Sequence, residues 1–259
     1  MNPLRDLPYN FLPLKIEFRL QSPLALAHPW LHLEGIVAHL WYRMNYPNYR
    51  ALPSKRVQKV QGHLPLPLKR FYCCNQFIYH ASVSLFDTDR PEDALRALDR
   101  LQVGKIHKRF YEKDLDYNRV RVKKISRGSG YFKDFAMSLP SLPVQRVVFY
   151  ANGDPDILEV LFDALPGLGK KTAIGYGSIK DFKIKELDED YSIMMDDYAM
   201  RPIPYFMLSK HEELVMLAYK APFWAKENVT LCAPPFTKVE LKEGVENGGG
   251  VETVLSHVG

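Results

Sequence analysis

Eleven residues from Gly167 to Gly177 carry the densest concentration of chemistry in the chain: Gly-Leu-Gly-Lys-Lys-Thr-Ala-Ile-Gly-Tyr-Gly. Two Gly-x-Gly pairs, Gly167 with Gly169 and Gly175 with Gly177, enclose the adjacent cations Lys170 and Lys171 and place Tyr176 beside them. Glycine allows positive φ and close approach of backbone N–H groups, so a loop of this kind can cradle an anionic backbone while the lysines add charge. A Walker A loop is excluded, because Ala164 stands where its first glycine belongs and Lys171 where Ser or Thr must bind magnesium. A dinucleotide fingerprint leaves a strand and opens a helix, whereas this loop leaves an expected helix (154–165) and enters an expected strand (178–185). Phosphate carried on a nucleic acid is the chemistry that remains, against a purely geometric helix-to-strand connection.

A second cationic element precedes it. Between Lys105 and Lys133 the chain holds Lys105, Lys108, Arg109, Lys113, Arg119, Arg121, Lys123, Lys124, Arg127 and Lys133 against Glu112, Asp114 and Asp116, within a chain whose formal charge is only +5. Phe110, Tyr111, Tyr117, Tyr131, Phe132 and Phe135 are interleaved with those charges. Cations neutralise phosphates while rings stack on unpaired bases, each stack contributing about 1–3 kcal/mol. Arg119, Arg121 and Lys123 alternate with Val120 and Val122, which puts the cations on one face of a β-ribbon; a solvated hairpin with a small aromatic core is the plainer alternative.

Other chemistry is thinner. Histidines are candidates for acid or base, and His28 and His32 lie just before the first expected helix, although histidines in a setting such as Ala27-His28-Pro29-Trp30 are commonly structural. Cys73 and Cys74 are adjacent and lack the spacing for a shared tetrahedral metal, so neither a metal nor a cofactor is expected. With only those two and Cys232 there is no disulfide framework, residues 1–9 lack the apolar core of a signal peptide, and no apolar run reaches 18 residues. A cytoplasmic protein without a membrane partner is the expectation.

These groups need a scaffold. Leu14, Ile16, Phe18 and Leu20 alternate with charged residues as in a half-buried strand, and Leu33, Ile36, Val37, Leu40, Trp41 and Met44 recur at helical spacing. Phe77 to Leu85 reads as a second strand, Glu92 to Leu101 as a short helix, and Val144 to Tyr150 as a buried strand. Asp154-Pro155 then caps a helix with Ile157, Leu158, Leu161, Phe162 and Leu165 on its apolar face, and Ser178 to Lys185 closes the pattern. The fold expected is α+β: a ferredoxin-like, RRM-like antiparallel sheet core over residues 13–187 with a basic β-hairpin thumb inserted at 104–143. Prolines 202, 204, 222, 234 and 235 mark a strand-and-loop C-terminal extension over 188–242, in which Phe223 and Trp224 serve either as core anchors or as a contact for a neighbouring subunit. Residues 243–259 read as a loosely held tail.

The loop, following such a helix, resembles the glycine-rich loop of the repeat-associated RNA-binding superfamily of CRISPR systems. Asp190-Tyr191-Ser192, Met200-Arg201-Pro202-Ile203-Pro204, Ala221-Pro222-Phe223-Trp224 and Leu231-Cys232-Ala233-Pro234 resemble motifs of the 5′-handle-binding, Cas5-like subunit of type IV CRISPR effector complexes. That resemblance, over most of residues 13–236, implies a non-catalytic subunit that holds the 5′ handle of the guide RNA and caps the complex's backbone. Its partners would be guide RNA, the backbone and large subunits, and target DNA next to the matched sequence. The thumb would supply Lys105, Lys108, Arg109, Arg119, Arg121, Lys123, Lys124 and Arg127; the loop would supply Gly167, Gly169, Lys170, Lys171, Gly175, Tyr176 and Gly177. A metal-independent endoribonuclease that processes precursor guide RNA is the alternative on the same fold, and an RNA-binding protein outside any such complex is a third.

Overall fold

Alternation along residues 12–20 makes a strand that is apolar on one side only, and in the computed structural model, which describes residues 9–45, 65–109, 126–129 and 133–242, β1 (Leu12–Leu20) buries Leu14, Ile16 and Phe18 to 1% exposure or less. β2 (Leu24–Ala25) and α1 (Leu33–Asn45) follow, then the hairpin β3 (Arg70–Cys73) and β4 (Gln76–Tyr79), the short β5 (Leu85–Phe86), and the thumb strands β6 (Gln102–Lys108) and β7 (Phe135–Leu142). β8 (Arg146–Gly153), α2 (Pro155–Asp163) and β9 (Ile179–Glu186) complete the first part. Seven short strands come after it: β10 (Met194–Met195), β11 (Tyr198–Ala199), β12 (Ile203–Pro204), β13 (Leu208–His211), β14 (Val215–Ala218), β15 (Val229–Ala233) and β16 (Val239–Leu241). The chain is α+β, built on antiparallel strand pairs and, among the described residues, two α-helices.

The principal sheet has the order β5-β8-β1-β9, with every neighbour antiparallel. Its register places Ile16 between Phe149 and Ile184, and Phe18 between Val147 and Phe182, so one face is continuously apolar. Leu33, Val37, Leu40 and Trp41 of α1 and Leu158, Leu161 and Phe162 of α2 cover that face in a single core. Phe18 meets Phe149 and Phe162 edge-on at 6.1 and 5.1 Å, a favoured aromatic geometry. The expected cap of α2 is present: the Asp154 carboxylate accepts from Ile157 N–H at 3.1 Å, with Pro155 in the first turn, where no N–H is required.

The opposite face is divided. Over β5 and β8 it is sealed by Leu85, Ala94, Val148, Tyr150 and Met200. Over β1 and β9 it carries ion pairs, Arg19 with Asp181, Lys15 with Asp89, and Arg146 with Glu17 and Asp89. A second core gathers Phe71 and Ile78 of the β3–β4 hairpin with Ile203, Met207, Tyr219, Cys232 and Val239, so the C-terminal strands pack on sequence from the first part of the chain.

Two expected elements differ. Residues 92–101 form 3₁₀ turns at Pro91–Asp93 and Arg96–Arg100 in place of a helix. Leu95 and Leu101 are exposed there, and with mainly Ala94 and Ala97 buried there is no apolar stripe to hold an α-helix against the sheet. The strand expected over 77–85 is split between β4, which pairs with β3, and β5, which pairs with β8. Every residue from Ile78 to Phe86 is buried, including His80, Ser82 and Ser84, because the segment lies between two cores. Long-range partners make that burial tolerable: Ser82 Oγ accepts from Tyr150 N–H, Ser84 Oγ from Leu31 N–H, and His80 Nδ1 meets Asp190 at 2.7 Å.

Candidate nucleic-acid interface

The glycine loop is shaped by a two-residue strut. Lys170 N–H donates to Ala25 O and Gly177 N–H to Pro23 O, both at 2.8 Å, so the two arms of the loop are stitched to β2 and its approach. Leu168 N–H donates to Gly177 O, closing the arms on each other. Gly169 (φ +76°) and Gly177 (φ +60°) are required here: a Cβ would stand 2.4 Å from Ala25 O at the first and 2.0 Å from Leu168 O at the second. Their packing pushes the stretch from Lys170 to Gly175 outward, where Lys170, Lys171 and Ile174 are exposed around a 3₁₀ turn at Thr172–Ile174.

The same strut carries the thumb. β2 pairs with β7 through Leu24↔Leu142 and Ala25↔Ser141, and β7 pairs with β6 from Gln102↔Ser141 to Lys108↔Phe135. Ala25 therefore bridges Lys170 on one side and Ser141 on the other, which makes loop and thumb parts of one surface. The hairpin has two faces. Gly104, Ile106, Lys108, Phe135, Met137 and Leu139 share the face turned to the loop, where Tyr176 Oη lies 3.9 Å from the position of a Cβ at Gly104 and Lys171 Nζ lies 5.9 Å from the Phe135 ring. Lys105 and His107 project from the opposite, exposed face.

Among the predicted site residues, the structure thus brings together Lys108, Lys170, Lys171, Tyr176 and the four glycines, and turns Lys105 away. Arg109 continues the β6 edge, 3.9 Å from Asp134, and Arg127 is exposed with its carbonyl accepting from Asp134 N–H. Arg119, Arg121, Lys123 and Lys124 lie outside the described residues, as do Phe110, Tyr111, Tyr117, Tyr131 and Phe132.

His28 and His32 are placed differently. His32 stacks on Phe223 at 4.0 Å and its Nε2 faces Trp30 Nε1–H at 3.2 Å, which makes that nitrogen an acceptor. Burial, helped by Arg201 and His28, pushes its pKa down to about 3, so His32 stays neutral near pH 7. His28 is exposed. Trp224 is exposed at 52%, whereas its neighbour Phe223 is half-buried and packs on His32.

The C-terminal motifs are wired inward. Arg201, 1% exposed, pairs with the equally buried Glu34 of α1 at 2.7 Å and donates to the carbonyls of Tyr79, Ala81 and Tyr219. Burial pushes the Glu34 carboxyl up, against the pull of Arg201 and of Ala221 N–H. Burial works the same way on Asp190, but the hydrogen bond and charge of His80, with Ser192 and Asn152, hold it well below the usual carboxylate range. Among the described residues no group of His, Cys, Asp and Glu is arranged to hold a metal, and no helix is long and apolar enough to cross a membrane. Cys73 and Cys74, with sulfurs 3.2 Å apart, occupy a hairpin turn.

The family model described as CRISPR type IV associated protein Csf3 matches residues 12–235, a span that includes the strut, the thumb strands, the glycine loop and most of the second core. No curated protein matches the chain. Among solved structures, a chain from the cryo-EM structure of the type III-B Cmr-beta bound to cognate target RNA is similar at 11% identity over 68% of this chain and 61% of that one. The TM-score of that match is 0.30, a likeness too loose to carry an argument.

Proposed function

We propose that this chain, which belongs to the Csf3 family of CRISPR type IV associated proteins, is an RNA-binding subunit of a guide-RNA effector complex and grips the 5′ handle of the guide between thumb and glycine loop. The observation that carries this reading is the strut: Ala25 joins the glycine loop to the base of the thumb, so two cationic elements more than 25 residues apart in sequence are held side by side, with Lys171 facing Phe135. Lysines there hold phosphates and set the position of the strand; Phe135 and Tyr176 offer rings to unstacked bases, where any sequence preference arises. The strand order β5-β8-β1-β9 with two helices on one face supports a ferredoxin-like core. The RRM mode of stacking bases on the open sheet face fits poorly, since that face is sealed over β8 and salt-bridged over β1 and β9.

In this reading the subunit works without catalysis, in the cytoplasm, and caps the backbone of the complex beside the large subunit. A neutral His32 that accepts from Trp30 is poorly placed as a proton donor, which favours the non-catalytic role over guide processing. The test is a titration of handle RNA with the wild-type protein and with Lys170→Ala/Lys171→Ala. The double variant is expected to bind more weakly and to lower the salt slope by up to about 2. Unchanged affinity at low salt removes the loop from the interface.

A further inference from the structure

Adjacent Lys170 and Lys171 serve different sides of the loop. Lys171 faces Phe135 of the thumb, whereas Lys170 lines a separate cleft of about 450 Å³ between the loop arm and α1. The cleft walls are apolar and aromatic, with Trp30, Ile36, Leu168 and Phe223 prominent; its cations are Arg43 and Lys170, the imidazoles of His28, His32 and His39 lie beside them, and among the described residues it is lined by no Asp or Glu. Glu34 of α1 is buried and engaged by Arg201. A pocket of this volume falls in the roughly 300–1,000 Å³ range of small-ligand sites and is larger than a bare phosphate needs. Apolar walls suit a planar ring and cations suit the anion attached to it.

We propose that this cleft receives one nucleotide of bound RNA, turned over the glycine loop out of the thumb groove, with the base against the Trp30–Phe223 wall and its phosphate held by Lys170, His39 and Arg43. The inference rests on the RNA-binding reading and adds to it a second, single-nucleotide subsite. His32 belongs to the wall: its Nε2 is engaged by Trp30, and its ring backs the Phe223 face.

The experiment is calorimetric titration of the full-length, RNA-free protein with adenosine 5′-monophosphate and uridine 5′-monophosphate, beside inorganic phosphate and the unphosphorylated nucleosides, with handle RNA run in parallel. Saturable binding of at least one mononucleotide with Kd below about 1 mM is expected, with phosphate alone and nucleoside alone each at least tenfold weaker. Arg43→Gln and Ile36→Trp, one removing a surface cation and one filling the cleft, are each expected to weaken mononucleotide binding about tenfold or more, while Lys171→Ala weakens handle RNA and leaves the mononucleotide unaffected. No mononucleotide binding at 10-fold higher concentration, about 10 mM, with handle RNA still bound, overturns the cleft and spares the groove. Equal binding of inorganic phosphate reduces it to an anion site and also overturns it. Loss of handle RNA binding by the wild-type protein sinks both.

Discussion

The glycine loop and the C-terminal motif region are equally conspicuous as sequence, yet they point their chemistry in opposite directions. Around Gly167 to Gly177 the small residues are packed inward against β2 and the cations stand outside. From Asp190 to Ala233 the polar members, Asp190, Ser192 and Arg201, are the groups turned inward, each bonded to partners from distant segments. A motif residue earns a binding role only where the fold leaves its charge uncommitted; Arg201 uses its charge to tie α1, the β4–β5 segment and the β14–β15 hairpin together.

The sharpest break of that contrast is Arg201→Met. It leaves Glu34 buried without its counter-ion and is expected to lower stability by about 3–5 kcal/mol in denaturant unfolding, while the fraction that remains folded binds RNA with wild-type affinity. A weakened RNA complex from fully folded Arg201→Met would instead give that arginine a place in the interface. Next is Gly177→Ala, which combines backbone collision with Leu168 O and a positive φ; a loss of about 3 kcal/mol with weakened RNA binding is expected from thermal melts and binding on the same sample.

Acid separates the regions further. His32 titrates at about 3 when folded against 6.5 when unfolded, so between those values the unfolded chain binds the extra proton and stability falls as pH drops, by about 1.4 kcal/mol per unit at most. Asp190 acts lower: its folded pKa is depressed, so its contribution is complete above the ordinary carboxylate range and drains away as pH falls toward the folded value. His32→Gln is expected to flatten the melting profile between pH 6 and 4, and Asp190→Asn to flatten it only below about pH 4. The smallest effect is Gly175→Ala, where φ is +93° but, among the described residues and apart from its chain neighbours, no atom lies within 4 Å of the new Cβ; about 1–2 kcal/mol and a local loss of RNA affinity are expected.

How much of this was legible depended on whether a residue's fate was decided locally. β1, α1 and α2 could be read because one face of each is apolar and the Asp154-Pro155 cap is a local signal. The segment from Ile78 to Phe86 could not, since His80, Ser82 and Ser84 look solvent-facing until Asp190, Tyr150 and Leu31 arrive from elsewhere. Within the site, the paired glycines and lysines were visible, as was the charge of the thumb. The strut was not: Leu24-Ala25 is two residues long and has no periodicity. The cleft was hidden for the same reason, its walls coming from α1 and its approach, the loop arm and Phe223, so His39 and Arg43 carried no signal beyond their helical spacing.

Photocrosslinking of handle RNA carrying 4-thiouridine at successive positions, followed by mass spectrometry of the RNA–peptide adducts, tests the central claim most directly. The account predicts adducts at Phe135, Tyr176 and the Lys170–Lys171 stretch, lost when the two lysines are replaced. Adducts confined to β9 around Lys183 and Lys185, or to the C-terminal strands, would contradict it.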